Sequence, residues 1–353
     1  MRSGSGRRVE VARIETGSFP KLPIPIPIPF PPMEARRGET LPQGPDWQFE
    51  PKWDGFRALV FRWRDQVFLQ SKAGQPLGRY FPELVEAFLK LTPQAFVLDG
   101  EIVIPIAGRL SFDDLLMRIH PAQSRISRLS EETPALFNAF DLLYEAAGKP
   151  SMLLDLPLSA RRKRLEQFFR KVKSPSIDLT PMTTDRVAAG AWFKKMGELG
   201  LDGIIAKRLD RPYQSGSREA MVKVKRLRTA DCVVGGFRYA SGSREIGSLL
   251  LGLYDEQGLL NHVGFTSSFN VEERRALKKV LEKVKGGSGF SGKAPGGPSR
   301  WSTERSAVWE ALKPKLVCEV RYDYFSQRRF RHGTKFLRWR PEKKPRTCTI
   351  DQV

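Results

Sequence analysis

The residue best suited to chemistry in this sequence is Lys52, in the stretch Phe-Glu-Pro-Lys-Trp-Asp-Gly-Phe-Arg. Lysine side chains usually extend into water. This one follows a glutamate, precedes an Asp-Gly turn and has Phe49, Trp53 and Phe56 as neighbours along the chain. Aromatic surroundings disfavour the charged ammonium, and an uncharged lysine amine is a nucleophile. The stretch therefore predicts covalent catalysis by Lys52, although a strand, a turn and an exposed lysine would give the same short pattern.

Charged residues also alternate with apolar ones in two later strand-like runs. In Phe-Val-Leu-Asp-Gly-Glu-Ile, Asp99 and Glu101 would share one strand face. Carboxylates in so apolar a run are costly to bury without a cation or a hydrogen-bond donor. In Met-Val-Lys-Val-Lys, Lys223 and Lys225 share a face and the valines take the other. An exposed polar face would explain either pattern, so the spacing alone leaves the choice open.

Taken together, the motifs resemble those of ATP-dependent DNA ligases and messenger-RNA capping enzymes. Lys-x-Asp-Gly with an arginine two residues later, residues 52–57, is similar to their nucleotidyl-lysine motif. The longer form Glu-Pro-Lys-Trp-Asp-Gly-Phe-Arg is most similar to bacterial ATP-dependent DNA ligases, both the small stand-alone type and the ligase modules of end-joining enzymes. Further motif resemblances follow in the family's order as far as Lys343. Each motif is modest, but the ordered set is specific.

The resemblance implies a nucleotide site that uses ATP and Mg²⁺. Lys52 would carry the AMP, and Glu50 and Arg57 of the same motif would bind the nucleotide. Glu101, in the Asp-Gly-Glu motif, would bind the ribose or a metal ion. Phe140, in an aromatic-Asp motif, would stack on the adenine ring, although a phenylalanine in an apolar strand is more often part of the core.

The resemblance also implies roles for residues that handle phosphates. Lys223 and Lys225 would hold the α-phosphate and neutralise charge in the transition state. Lys225 would also help to keep Lys52 uncharged by repulsion. Asp202 stands where the family usually has a glutamate and would bind Mg²⁺, directly or through water. Lys72 stands where many relatives have an arginine that contacts the 5′ end of nicked DNA, and it keeps the charge without the guanidinium fork.

A basic stretch near the C-terminus resembles the motif that orients the leaving pyrophosphate. Its cations are Arg338, Arg340 and Lys343. Glu342 stands where the family commonly has an aspartate. A basic tail is otherwise a generic binder of phosphates.

Composition favours a nucleic-acid partner. The 353 residues include 60 Lys and Arg against 39 Asp and Glu, a net charge of +21 that recurs through both halves. No apolar run is long enough for a membrane helix or a signal core, which predicts a cytoplasmic, nucleoid-associated protein. Nothing in the sequence demands an oligomer, so a monomer is expected. Three cysteines and three histidines are scattered, which argues against a disulfide framework, a four-cysteine zinc site or a histidine-based triad.

The chain is expected to contain an arm and two domains. Residues 1–40 read as a proline-rich basic arm, either a clamp across the body or a tail. Residues 41–226 mix strands and helices, which predicts an α+β adenylation domain with antiparallel sheets. Residues 227–353 predict a small β-barrel, and the resemblance implies that it is an oligonucleotide-binding (OB) fold.

Local patterns place some helices and a linker. One helix is predicted from Pro82, one capped by Ser159 and one capped by Asn270. A flexible segment is predicted over residues 286–300.

Two other function classes stay open. A capping-type RNA guanylyltransferase shares the lysine motif and would prefer GTP. A non-catalytic nucleic-acid-binding protein on a ligase-like scaffold would use its charge alone. The preferred reading is a ligase that seals nicks through lysyl-AMP and a DNA-adenylate. A repair role, with end-joining or base-excision repair proteins as partners, is a further expectation.

Overall fold

The computed structural model describes residues 19–146, 151–195, 200–225, 228–296, 308–331 and 333–353. Two compact units divide the chain, Met1–Lys225 and Arg226–Val353. The boundary predicted between residues 226 and 227 falls outside the described residues. No helix among the described residues is long and apolar enough to cross a bilayer.

The first unit is an α+β structure, as predicted. Its strands are β1 (Arg36–Gly38), β2 (Trp47–Lys52), β3 (Phe56–Trp63), β4 (Gln66–Ser71), β5 (Ala95–Val103), β6 (Pro105–Ile106), β7 (Arg109–Leu110), β8 (Leu136–Glu145), β9 (Ser151–Met152), β10 (Ile177–Leu179), β11 (Gly203–Arg208) and β12 (Met221–Lys225). Its helices are α1 (Pro82–Leu89), α2 (Phe112–Met117), α3 (Gln123–Glu132), α4 (Leu158–Phe169) and α5 (Arg186–Lys195).

Two sheets form the frame of this unit. One has the strand order β1-β12-β11-β2, and the other has the order β10-β8-β5-β3-β4, with β9 added beside β8. Pairing is antiparallel within both sheets except for β1 with β12 and β10 with β8, which are parallel. The predicted antiparallel sheets are confirmed, and each gains one parallel strand at its edge.

Side-chain alternation decides what each face of the larger sheet contacts. On β3, Ala58 and Val60 pack into the core formed with the helices, whereas Leu59 and Phe61 face the other way. That second face shares a core with Met221 of β12 in the smaller sheet. Each sheet therefore turns one face toward the other, and charged residues continue the same faces beyond the apolar contact.

The described part of the N-terminal arm packs on the first unit. Alternation with proline buries Ile24 and Ile26, and Phe30 and Met33 are buried beyond them. The side-chain amide of Gln70 accepts from the Phe30 N–H at 2.8 Å and donates to its carbonyl at 2.7 Å. β1 then extends the smaller sheet. Residues 19–40 are thus attached to the body, while residues 1–18 lie outside the described residues.

The predicted cap of α4 was wrong. The helix begins at Leu158 after Pro157, and Ser159 makes no side-chain cap. Its first N–H groups are satisfied instead by the carbonyls of Arg211, at 2.9 Å from Leu158 N, and of Leu209, at 3.0 Å from Ser159 N. A neighbouring loop supplies the acceptors that a capping side chain would otherwise provide.

The second unit is the expected small barrel. Its strands are β13 (Arg228–Tyr239), β14 (Ile246–Tyr254), β15 (Leu260–Thr266), β16 (Glu310–Ala311), β17 (Val317–Tyr322), β18 (Phe325–Ser326), β19 (Arg329–Phe330) and β20 (Lys335–Trp339), with helix α6 (Val271–Glu282). The main sheet has the order β15-β14-β13-β17-β20. Its edge strands meet where Thr266 Oγ1 donates to Thr334 O at 2.9 Å and Thr334 N donates to Phe265 O at 3.0 Å. This contact closes the sheet into the OB-like barrel that the resemblance implied.

Two local predictions in this unit had different outcomes. Asn270 caps α6 in a reciprocal pair with Glu273, both bonds being 2.8 Å, as predicted. The segment predicted as flexible, 286–300, is packed as far as residue 296, because Phe290 is buried and Lys293 O accepts from His262 N at 2.8 Å. Residues 297–300 lie outside the described residues.

Gly203 offers a test of how closely the strands of the smaller sheet approach. Its φ is +151°, and a Cβ there would lie 2.1 Å from Val224 O. We expect Gly203→Ala to lower the free energy of unfolding by about 3 kcal/mol. Gly190→Ala is the control, because a Cβ on Gly190 of α5 meets nothing within 4 Å and alanine favours a helix by about 0.5–1 kcal/mol. Urea unfolding of both variants checks this, and equal stabilities would contradict it.

Candidate active site

Lys52 ends β2 and is held by an ion pair with Asp202. Lys52 Nζ lies 2.6 Å from Asp202 Oδ2, and Lys225 Nζ lies 3.0 Å from the same oxygen. The pairing of β2 with β11 places Gly203 opposite Lys52, so that Asp202 stands directly beside the lysine. Asp202 N also donates to Lys52 O at 3.1 Å. The expected repulsion between Lys225 and Lys52 is therefore offset, because one carboxylate oxygen contacts both ammonium groups.

The predicted aromatic shell around Lys52 was also wrong. Phe49 faces the opposite side of β2 and belongs to the core beneath α5. Trp53 donates its indole N–H to Thr180 Oγ1 at 3.0 Å, and Phe56 packs edge-on within the helical core. Side chains that alternate along a strand cannot all surround one residue. A charged pair, not an apolar shell, determines the environment of Lys52.

Lys223 lies beside this pair as a half-buried cation without an acidic partner among the described residues. It makes no ion pair with any described residue. Burial and the ammonium groups of Lys52 and Lys225 lower the pKa of Lys223. A cation in this position is well placed to receive an anion such as a phosphate.

The facing sheet presents Arg57, fixed by a two-pronged bond to Asp99. Arg57 Nε lies 2.9 Å from Asp99 Oδ1 and Nη2 lies 2.6 Å from Oδ2. Tyr213 Oη donates to Asp99 Oδ2 at 2.6 Å and accepts from the Met33 N–H at 3.0 Å. Burial and the Asp99 charge raise the pKa of Tyr213, which keeps it a donor. Sequence reasoning missed Tyr213, because it lies in a loop without a motif.

The Phe140 ring contacts two cations, so it is not simply part of the hydrophobic core. Its ring centroid is 4.2 Å from Lys207 Nζ and 5.1 Å from the Arg57 guanidinium carbon. Lys207, to which the sequence assigned no role, pairs with Glu50 at 2.7 Å, and both side chains are at most 3% exposed. Gln48 Nε2 donates to the other Glu50 oxygen at 2.7 Å. Glu50 thus holds Lys207 against the aromatic ring.

Glu101 pairs directly across the sheet with Arg57 in the strand register. Burial raises its pKa to about 7, although the charges of Lys52 and Arg57 act in the opposite direction. Glu101 therefore changes charge near neutral pH.

The carboxylates of this site decide how it could hold Mg²⁺. Among the described residues, no group of three or more acidic, histidine or cysteine side chains is arranged to hold a metal ion. Asp202 engages both lysines through Oδ2. One or two carboxylates with phosphate oxygens and water form the usual Mg²⁺ site of a nucleotide enzyme. The residues fit an ion that arrives with the nucleotide.

Lys72, the expected DNA contact, is tied to the arm. Its side chain is 54% exposed, and its Nζ lies 3.2 Å from Glu34 Oε1. The other oxygen of Glu34 lies 2.8 Å from Arg218. The charges of Lys72 and Glu34 both act on Lys223, so Glu34 places a carboxylate near that lysine.

The C-terminal cations lie in the second unit and are paired there. Arg340 lies 2.9 Å from Asp231, and Lys343 lies 3.3 Å from the same carboxylate. Arg338 lies 2.7 Å from Glu319. The site residues of the first unit, by contrast, are brought together by its two sheets.

Glu101 makes the stability of the first unit depend on pH. The native state keeps its proton up to about pH 7, whereas the unfolded chain releases it near pH 4.5. Between these values the unfolded state binds fewer protons, so the free energy of unfolding falls as the pH rises. We expect Glu101→Gln to melt several degrees above the wild type at pH 8, at roughly 2–4 °C per kcal/mol, with less advantage at pH 5. The exposed Glu256→Gln is the control; a constant difference across this range would contradict the assignment.

Two family models match the chain. "ATP dependent DNA ligase domain" matches residues 33–225, and "ATP dependent DNA ligase C terminal region" matches residues 242–343. DNA ligase C1 of Mycolicibacterium smegmatis is 46% identical over 336 residues, which are 92% of this chain and 94% of that protein. The multifunctional non-homologous end joining DNA repair protein LigD of Mycobacterium tuberculosis is 32% identical over 89% of this chain but only 39% of that protein.

A solved structure of a Lig E DNA ligase shares the fold. Its TM-score is 0.54 at 16% identity, covering 87% of this chain and 99% of that one. The matched regions contain Lys52, Asp202 and the facing sheet described above. The chain belongs to the family of ATP-dependent DNA ligases.

Proposed function

We propose that this ATP-dependent DNA ligase seals nicks in duplex DNA through an AMP bound to Lys52. The observation that carries the proposal is the meeting of Lys52 and Lys225 on one oxygen of Asp202, with Lys223 beside them as a cation free to receive phosphate. In the first step Lys52 Nζ attacks the α-phosphorus of ATP. The new N–P bond forms as the bond to the pyrophosphate oxygen breaks, and Asp202 Oδ2 is placed to accept the proton from Lys52.

The surrounding residues orient the nucleotide. The adenine would stack on Phe140 and share the ring with Lys207 or Arg57. Glu101 would bind the ribose or the metal ion, and Glu50 would act through Lys207. Lys223 and Lys225 would hold the α-phosphate and stabilise the negative charge of the transition state. Mg²⁺, held by phosphate oxygens with Glu101 or Asp202, would neutralise charge on the triphosphate.

The later steps use DNA. AMP passes from Lys52 to the 5′-phosphate at the nick, and the 3′-hydroxyl then attacks and releases AMP. Lys72 would contact the 5′ end after exchanging Glu34 for phosphate. Arg338, Arg340 and Lys343 would orient the leaving pyrophosphate in the first step. We further infer a monomer that works in the cytoplasm at the nucleoid.

Intact-protein mass after incubation with ATP and Mg²⁺ tests the central step. The wild type should gain one AMP and Lys52→Ala none, and Lys223→Ala should slow the gain about 10²–10³-fold. Lys72→Ala is the matched control, because it should gain AMP normally and then transfer it slowly to nicked DNA. A mass gain that survives Lys52→Ala would refute the assignment. A preference for GTP over ATP would instead support the capping-type alternative.

The physiological role that we infer is DNA repair. A strain lacking the gene should grow normally and lose resistance to agents that break DNA strands. The similarity to the ligase part of an end-joining repair protein supports this inference and suggests end-joining or base-excision repair proteins as partners. Loss of growth without any damage would argue for replication instead.

A further inference from the structure

Tyr213 connects three distant segments of the first unit through one hydroxyl group. It lies in the loop between β11 and β12, and only 6% of its surface is exposed. Its Oη atom donates to Asp99 Oδ2 at 2.6 Å and accepts from the Met33 N–H at 3.0 Å. Asp99 is 114 residues away in the sequence, and Met33 is 180 residues away. The arm, this loop and β5 therefore meet at a single atom.

The direction of these hydrogen bonds is fixed. A backbone N–H can only donate, so the bond from Met33 occupies a lone pair of Tyr213 Oη and leaves the hydroxyl proton for Asp99. Burial and the Asp99 charge raise the pKa of Tyr213, which keeps this proton in place. Asp99 Oδ2 accepts from both Tyr213 Oη and Arg57 Nη2, each at 2.6 Å. The hydrogen bonds therefore run from the arm through Tyr213 to the carboxylate that holds Arg57.

The side chain of Tyr213 cannot move independently of its surroundings. The Phe30 ring is stacked on it, with centroids 6.2 Å apart and an interplanar angle of 26°. The guanidinium carbon of Arg161 lies 5.6 Å from the Tyr213 ring centroid, and Arg161 is itself fixed by two bonds to Asp141, at 2.8 and 3.0 Å. The backbone N–H of Tyr213 donates to Leu154 O at 2.8 Å. The hydroxyl group is thus presented from a rigid position.

The arm is attached to the same loop on either side of Met33. Ser215 Oγ donates to Pro31 O at 2.6 Å, and Glu34 N donates to Ser217 O at 2.7 Å. These bonds involve backbone groups of the arm, so they fix the path of its main chain. The Met33 N–H that reaches Tyr213 is therefore held in register with the loop.

Asp99 contacts one edge of the Arg57 guanidinium group, which carries Nε and Nη2. Because the guanidinium group is planar, a rotation of the carboxylate turns the whole group. Asp99 is fully buried, and the Tyr213 hydroxyl is a third donor that restricts such a rotation. The guanidinium carbon lies 5.1 Å from the ring centroid of Phe140, on which the adenine would stack. The orientation of Arg57 therefore bears directly on the nucleotide site.

We propose that Tyr213 is a positioning residue for nucleotide binding, and that its hydroxyl group makes the N-terminal arm part of the ATP site. The hydroxyl links the Met33 N–H to Asp99 and so fixes the Arg57 guanidinium group where the nucleotide binds. The inference rests on the proposed function for the nucleotide-binding role of Arg57.

The ATP concentration for half-maximal AMP gain, measured by intact-protein mass, tests the role of Tyr213. In Tyr213→Phe, which keeps the ring and removes the hydroxyl group, this concentration should rise about tenfold, the order expected for losing a hydrogen bond to a charged group. The rate at saturating ATP should change by less than about twofold, because Arg57 would bind the nucleotide equally before and during the reaction. Tyr144→Phe is the matched control, since it removes a hydroxyl group from the same core and should leave the concentration unchanged.

An unchanged half-maximal concentration in Tyr213→Phe would overturn the proposal, as would an equal rise in Tyr144→Phe. A wild type that gains no AMP would instead refute the proposed function. Equilibrium binding of ATP to Lys52→Ala, with and without Tyr213→Phe, makes the same comparison without the covalent step, so the positioning role is tested in either case.

A double-mutant cycle tests the connection to the arm. Gln70→Ala removes the two side-chain bonds that hold Phe30, and should raise the half-maximal ATP concentration about threefold in the otherwise wild-type chain. In the Tyr213→Phe background the same substitution should have no further effect, because the hydroxyl link is already lost. Equal effects of Gln70→Ala in both backgrounds, or no effect in either, would overturn the part assigned to the arm.

Discussion

The arrangement of the active site depends on one carboxylate shared by two lysines. Asp202 brings Lys52 and Lys225 to a single oxygen, and without it two ammonium groups would repel one another at the ends of adjacent strands. Gly203 allows this approach, because any side chain there would meet the backbone of β12. Asp202 is shorter than the glutamate that the family usually has. The close strand contact at Gly203 brings its carboxylate within reach of Lys52 and Lys225.

The two facing sheets provide the second half of the site. The apolar part of each inner face joins the sheets, and charged residues such as Arg57, Lys223 and Lys225 continue the same faces beyond that contact. Arg57 is held by Asp99, which is held in turn by Tyr213, and Tyr213 also accepts from the arm. Packing, hydrogen bonding and the N-terminal arm therefore all act on the orientation of one guanidinium group.

Alternation along strands made much of this predictable. The shared face of Lys223 and Lys225, the strand with Asp99 and Glu101, and the capping box of Asn270 each follow from local spacing. Local spacing failed where contacts come from distant parts of the chain, as for Tyr213, Lys207 and Glu34, and where a loop replaced a side-chain cap at Ser159. The expected aromatic shell of Lys52 failed for a related reason, since neighbours in sequence point to opposite faces of a strand.

The two hydrogen bonds between the Gln70 side-chain amide and the Phe30 backbone have an evolutionary consequence. A primary amide presents a donor and an acceptor in one plane, as a peptide group does, and only glutamine and asparagine carry one. A glutamate at this position would keep a bond to the Phe30 N–H and turn a second acceptor toward its carbonyl. Substitutions at position 70 and changes in the arm should therefore be found together across homologous sequences, as a correlated pair separated by 40 residues.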